Sequence, residues 1–365
     1  MRDGPKPLSM HLGLARSSLE GHGDAEPLLL SMIKGIQDYQ RSTYFPKVSH
    51  REVIWNCGQA SLNEIKTESG IEKDDLRICI LVPSLINAAT ILDLCEERSL
   101  SKWFSQKGYK TLLFDWGDLC KEPHEFSISD LVVQRLSAAL SFARKSFPKA
   151  KIHLLGYCMG GAMALGALAM DDKLADTITL LATPWDYHKG REVMMNRVRF
   201  WAPSAMLSIQ SNGYLSADAL QSLFASLAPE MAQKKFSKFS NMDQSSEDAH
   251  LFIAVEDWLN ENRDLPALIA RECVWDWYIQ NKPYLGQWKI YGKHVDLSQL
   301  KIPVLVFASD KDRLVEWESA IAVQEHLSQA EIMRVSCGHI GMIAGKDSVN
   351  HVWQPIEKWM KKHTN

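Results

Sequence analysis

The sequence predicts an α/β fold, with a mostly parallel central sheet, helices on both faces and an inserted, mainly helical segment. Three observations carry this. Continuous apolar runs such as Ile78-Cys79-Ile80-Leu81-Val82 and Thr111-Leu112-Leu113-Phe114-Asp115-Trp116 have the character of parallel strands covered on both faces. Segments with helical spacing alternate with these runs, and such βαβ units build a parallel sheet. The alternation stops over residues 184–300, a stretch rich in Met, Trp, Phe and polar runs, and resumes beyond it.

The 365 residues suffice for one large domain with an insertion. A formal net charge of -3, with 46% hydrophobic and 23% charged residues, leaves no basic excess for nucleic acid. Seven cysteines, with no C-x-x-C spacing, speak against a disulfide scaffold and a zinc site and fit a reducing compartment. Arg2 and Lys6 are not followed by an apolar run with a cleavage site, and no stretch approaches the roughly twenty apolar residues that span a bilayer. A cytoplasmic protein with no metal, no nucleic acid and no transmembrane segment is expected.

In chain order, residues 1–50 read as a helical annex. Its run Pro27-Leu28-Leu29-Leu30-Ser31-Met32-Ile33-Lys34-Gly35-Ile36 is apolar all round and should be buried against the main domain. Residues 51–183 form the first part of the core. Val53-Ile54-Trp55 and Ser61-Leu62-Asn63-Glu64-Ile65 are short antiparallel edge strands around Gly58, and residues 68–75 are a charged connection. Residues 92–107 have helical spacing that ends at Gly108; a second helix over 129–145 leads to the strand Ile152-His153-Leu154-Leu155. Thr177-Ile178-Thr179-Leu180-Leu181-Ala182 is the next strand. Residues 184–300 are the cap, within which the polar stretch 234–246 reads as a loop. The core returns over 301–365 with Ile302-Pro303-Val304-Leu305-Val306-Phe307-Ala308, Glu331-Ile332-Met333-Arg334-Val335 and a helix near 349–361.

The chemistry centres on Gly156-Tyr157-Cys158-Met159-Gly160-Gly161, which joins an apolar strand to a small-residue helix. Strand, glycine-bracketed turn and helix are the setting of a nucleophile elbow, with Cys158 as the nucleophile. The unpaired amides at the start of the helix favour a thiolate and a neighbouring oxyanion. Two loops after late strands, Ser309-Asp310-Lys311-Asp312-Arg313 and Cys337-Gly338-His339-Ile340-Gly341, supply an acid and a histidine at the same sheet edge. Nucleophile, acid, histidine is the chain order of α/β-hydrolase triads. Cys158 attacks as thiolate, His339 moves the proton, and Asp312 holds the imidazole tautomer, with Asp310 as the rival acid. The backbone amides of Met159 and of Ile86, in the loop Ser84-Leu85-Ile86-Asn87, would meet the oxyanion.

Other candidates take plainer readings. His153 is a core histidine, and Cys57, Cys79, Cys95, Cys120 and Cys273 are small packing residues. Trp258, Trp275, Trp277 and Trp288 belong to the core rather than to a ligand platform. Lys189, Arg191, Arg197 and Arg199 read as a solvated helix face before a phosphate site.

Further motifs follow in order: Val82-Pro83-Ser84-Leu85-Ile86-Asn87, Ile91-Leu92-Asp93-Leu94, Arg98-Ser99-Leu100, Phe114-Asp115-Trp116-Gly117, Thr183-Pro184-Trp185-Asp186, Asp312-Arg313-Leu314-Val315 and Gly338-His339-Ile340. With its cysteine lipase box, the chain resembles the polyhydroxyalkanoate synthases, which have the α/β-hydrolase fold. The resemblance implies a (R)-3-hydroxyacyl-CoA substrate, a covalent acyl-cysteine, extension of a polyester with release of CoA, and no cofactor beyond the coenzyme A thioester as substrate. It also implies a homodimer or a second synthase subunit as partner, and a polyester granule surface. The alternatives are a cysteine acyl-CoA thioesterase or esterase, and an inactive paralogue that binds granules or a synthase. Two departures stand out: Ala88-Ala89-Thr90 where the family carries a basic residue and aromatics, and Arg313 where histidine is common.

Overall fold

The computed structural model describes residues 1–66, 76–190, 192–261 and 263–363; the expected charged connection at 68–75 and Arg191 lie outside them. The annex forms α1 (Leu8–Ser18) and α2 (Ala25–Arg41). α2 is amphipathic rather than buried all round: Met32, Ile36 and Tyr39 are buried while Leu30 is 59% exposed.

Eight strands make one sheet: β1 (Arg51–Cys57), β2 (Ala60–Ile65), β3 (Arg77–Val82), β4 (Lys110–Asp115), β5 (Lys151–Tyr157), β6 (Thr177–Leu181), β7 (Val304–Ser309) and β8 (Glu331–Val335). Their order is β1-β2-β4-β3-β5-β6-β7-β8. β1 and β2 pair antiparallel at one edge, β2 runs antiparallel to β4, and the rest are parallel. Alternate side chains enter opposite layers, as the pleat requires. Ile78, Ile80, Ile152 and Leu154 face one apolar cluster, and Cys79, Leu81, Leu155 and Phe307 the other.

The chain leaves β3 toward β4 on one side, whereas β5 leads on to β6 on the other. The crevice of an open α/β sheet opens at such a reversal, beyond the carboxyl ends of the strands. That is where the loop after β3 meets the turn after β5.

α3 (Leu100–Gln106) follows a short helical turn, Ala89–Asp93, so the expected helix over 92–107 is divided in two. The buried Asp93 carboxylate causes the break, since it gathers Ser49, Arg51 and Ser99 around itself. α4 (Ala138–Ser146) ends a helical stretch that starts at Ile128. α5 (Met159–Met170) is buried from Met159 through Leu168, as its uniformly small and apolar sequence dictates.

Beyond β6 come α6 (Glu192–Asn212), α7 (Ala217–Leu227), α8 (Met231–Phe239), α9 (Glu247–Asn260) and α10 (Ala267–Arg271, continued by Glu272–Ile279). Of the stretch expected as a loop at 234–246, residues 234–239 are the end of α8 and 240–246 are the turn into α9. Phe236 and Phe239, three residues apart, are fully buried, so one apolar stripe holds an otherwise polar helix in place. Their partners are Met32, Ile36 and Tyr39 of α2 with Ala249 and Ile253 of α9, so the annex packs on the inserted helices rather than on the sheet.

The insertion is tied back to the sheet at its end. Buried Asp186 accepts a hydrogen bond from Asn281 Nδ2 at 2.8 Å, and Asn281 Oδ1 accepts from the Tyr187 amide at 2.9 Å. α11 (Gln354–Lys362) closes the chain against the α3 face.

Candidate active site

β5 delivers Cys158 at its carboxyl end, and α5 begins one residue later. Cys158 has φ 53° and ψ -131°, a left-handed conformation that costs a non-glycine residue about 1–3 kcal/mol. Its amide donates to the Leu181 carbonyl at 2.9 Å, which ties the turn to β6. Space forces the flanking glycines: a Cβ on Gly156 would lie 2.3 Å from the Gly161 Cα, and one on Gly160 would lie 2.3 Å from the Pro83 carbonyl oxygen. The elbow is therefore wedged against the loop after β3, and the Trp116 indole holds the Pro83 carbonyl from behind at 3.0 Å.

The acid and histidine loops follow β7 and β8. His339 Nδ1 lies 2.7 Å from Asp312 Oδ2, and both residues are buried. Asp312 Oδ1 accepts the Leu314 and Val315 amides at 2.8 and 2.9 Å, which fixes the carboxylate plane. Ser309 joins the two loops by donating to the Cys337 carbonyl and accepting from the Lys311 amide. Cys158 lies close enough for its charge to act on His339. Burial alone would lower the His339 pKa, but the negative charge of Asp312, and then that of Cys158, raise it to about 10. The rival Asp310 turns outward and pairs with Arg334 at 3.2 Å.

Met159 is the first residue of α5, so its amide has no acceptor within the helix. The Ile86 amide faces Ser84 Oγ at 3.5 Å, the long limit of a hydrogen bond. The side chains of Ile86 and Met159 share a narrow apolar slot of about 30 Å³ with Trp201, Leu223, Phe224 and Tyr278. A second cavity of about 460 Å³ reaches His339 and Gly338, and the two have Phe224 and Leu227 in common.

Sequence reasoning missed two groups beside the nucleophile. The Tyr187 hydroxyl and Asn87 Nδ2 are buried with no hydrogen-bond partner among the described residues. The charge of Cys158 is among the effects that, after burial, hold the Tyr187 hydroxyl protonated. Asn87 was visible in the loop motif, whereas nothing local marks Tyr187. Burial likewise pushes the Cys337 thiol up to about 11, and Cys337 and Cys158 are both free.

Of the plainer readings, those of Trp275 and Cys120 need correction. Trp258, Trp277 and Trp288 are buried, but Trp275 is 37% exposed. Cys120 is exposed. His153 is buried and bonds Thr177 Oγ1 through Nδ1 at 2.7 Å, yet its Nε2 has no partner. Lys189 pairs with Glu325 on the surface at 2.7 Å. Among the described residues no cluster of His, Cys, Asp and Glu could hold a metal ion, and no helix is long and apolar enough to cross a membrane.

An α/β sheet with a strained cysteine at the reversal point, facing a histidine held by a buried aspartate, defines the class. A family model described as the alpha/beta hydrolase fold matches residues 87–346, and the chain belongs to that family. Within it, the chain is similar to poly(3-hydroxyalkanoate) polymerase subunits, as its motifs led one to expect. The subunit of Haloarcula marismortui is 26% identical over 298 residues, covering 80% of this chain and 62% of the relative. That of Allochromatium vinosum is 24% identical over 321 residues, covering 86% and 89%, and that of Synechocystis sp. is 28% identical over 279, covering 73% of each. The chain thus spans 62% of the haloarchaeal relative's length but most of the Allochromatium one.

Proposed function

We propose that this protein is an acyltransferase of the polyhydroxyalkanoate synthase type, acting through Cys158, His339 and Asp312 on a (R)-3-hydroxyacyl-CoA. The observation that carries the reading is the 2.7 Å contact of His339 with the buried Asp312, within reach of the charge of Cys158 in its strained turn. The similarity to poly(3-hydroxyalkanoate) polymerase subunits supports the choice of substrate.

The Cys158 thiolate attacks the thioester carbonyl, and the Met159 and Ile86 amides meet the oxyanion. Collapse breaks the bond to sulfur of coenzyme A, which leaves as a thiol with the proton from His339. The hydroxyl of a second acyl unit then attacks the acyl-cysteine while His339 takes its proton, and Cys158 departs. Exchange of one thioester for another is nearly isoenergetic, so the acyl group stays activated for ester formation. Residues 184–300 act as the cap, and their apolar Trp201, Leu223 and Phe224 line the slot beside Ile86 and Met159.

Incubation with 3-hydroxybutyryl-CoA tests this directly. Coenzyme A release with insoluble polyester is expected; release with only free hydroxy acid would assign a thioesterase instead. Undiminished activity in Cys158→Ala would remove this site from the reaction altogether.

A further inference from the structure

The cavity that reaches His339 has a mostly apolar wall interrupted by groups no acyl chain would require. Around its roughly 460 Å³ stand His11 of α1, Lys235 of α8, Glu256 of α9, and Lys311 and Arg313, which flank Asp312 in sequence. Three cations therefore line it against one carboxylate. The buried Glu256 is fully engaged by Lys235, whose Nζ lies 2.7 and 2.8 Å from its two oxygens. Lys311 makes no ion pair among the described residues, and Arg313 has only an exposed pair with Glu230 at 3.1 Å. An exposed pair of that kind is worth about 0–1 kcal/mol, so a doubly charged phosphate can displace it. Arg313 also offers the planar donor fork that matches phosphate oxygens. His11 has a buried Nδ1 without a partner, and burial together with Lys235 lowers its pKa.

The rest of the cavity wall is mostly apolar, with Leu14, Phe224, Met231, Val255 and Ile340 beside the cations, and it adjoins the slot at Met159 through Phe224 and Leu227. A thioester with a hydrocarbon end and a phosphate-bearing end meets both kinds of surface there.

We propose that Lys311 and Arg313 bind the phosphates of the coenzyme A portion of the substrate, in a mouth partly walled by α1. This rests on the acyl-CoA reading above and assigns two specificity-determining residues and a role for the annex. The access route then includes His11, some three hundred residues away in sequence from Asp312.

The test compares 3-hydroxybutyryl-CoA with the phosphate-free thioester 3-hydroxybutyryl-N-acetylcysteamine. In Lys311→Glu/Arg313→Glu, kcat/KM for the CoA ester divided by that for the phosphate-free ester should fall about tenfold or more, chiefly through KM, as expected for two weak ionic contacts turned repulsive. His11→Asp should lower the same ratio. Lys311→Met/Arg313→Met, which adds no repulsion, should lower it less. A ratio within twofold of wild type in all three variants, each shown to be folded by its thermal transition, overturns the assignment. If the wild-type protein consumes neither thioester and Cys158 is never acylated, the proposed function itself fails, and this inference with it.

Discussion

Trp258 of α9 donates its indole N–H to the Ala88 carbonyl at 2.9 Å, and both residues are buried. The contact gives the unusual Ala88-Ala89-Thr90 segment a physical reason. Two small residues leave room for a tryptophan of the insertion to lie on the loop that carries Ile86 and Asn87. Thr90 adds a second tie, its hydroxyl donating to Glu261 at 3.1 Å. The inserted helices are thereby fastened to the loop beside the nucleophile, just as Asp186 and Asn281 fasten their far end.

Replacing the indole separates packing from hydrogen bonding. Trp258→Phe keeps a ring but leaves a buried carbonyl unpaired, and should cost about 1 kcal/mol. Trp258→Ala removes the packing as well and should cost about 3–5 kcal/mol. Urea unfolding measures both. Losses below a few tenths of a kcal/mol in each variant would show that this contact does not hold the insertion down.

Gly161 is fixed by Thr183 rather than by its own backbone angles. A Cβ at position 161 would stand 1.9 Å from Thr183 Oγ1, in a region where every neighbour is buried. Gly161→Ala should therefore destabilise by about 1–3 kcal/mol, the usual range for overpacking. Thr183→Ala in the same chain should recover part of that loss, because it removes the colliding hydroxyl. A double-mutant cycle reads the coupling, and strictly additive losses would rule out this clash as the cause.

Much of this was written locally in the chain. The apolar runs of β3, β4 and β5 and the glycines around Cys158 report their structure directly, because strand period and turn sterics depend on near neighbours. The order of Cys158, Asp312 and His339 then located three side chains that meet only in the fold. What stayed hidden depended on distant partners. Phe236 and Phe239 look incidental in a polar stretch until α2 covers them, and Asp310 is told from Asp312 by the distant partner of each, Arg334 and His339. The contribution of His11 to the cavity at His339 has no local signature at all.

His153 makes an acid-stability prediction. Burial, its largest effect, lowers the pKa from 6.5 to about 4, so the folded protein binds this proton less readily than the unfolded chain. Stability from this residue is complete above pH 6.5 and is lost as pH falls through about 4. At 1.36 kcal/mol per pKa unit the loss amounts to about 3 kcal/mol. Chemical denaturation at pH 7 and pH 4 should show His153→Gln losing about that much less than wild type across the interval. Parallel pH profiles for the two proteins would contradict it.

Asp312 and Asp310 can be distinguished by one substitution in each. The Leu314 and Val315 amides require an acceptor at Oδ1 of residue 312. In Asp312→Asn the side-chain oxygen must satisfy them, which turns the NH₂ group toward His339 Nδ1. That nitrogen must then accept, so the imidazole carries its proton on Nε2, facing Cys158, and cannot act as base there. Acyl transfer should fall about 10³–10⁴-fold, the scale of a wrong-tautomer substitution. The same change removes the largest of the charges that raise the His339 pKa to about 10, so the imidazole should lose its proton at a lower pH, as an NMR titration would read. The linked stability follows in sign: with the folded pKa raised, stabilisation is present below pH 6.5, fades as pH rises through about 10, and should fade less in the variant. Asp310→Asn touches only an exposed pair with Arg334 and should leave turnover within about twofold. A greater loss in Asp310→Asn than in Asp312→Asn would move the acid to position 310.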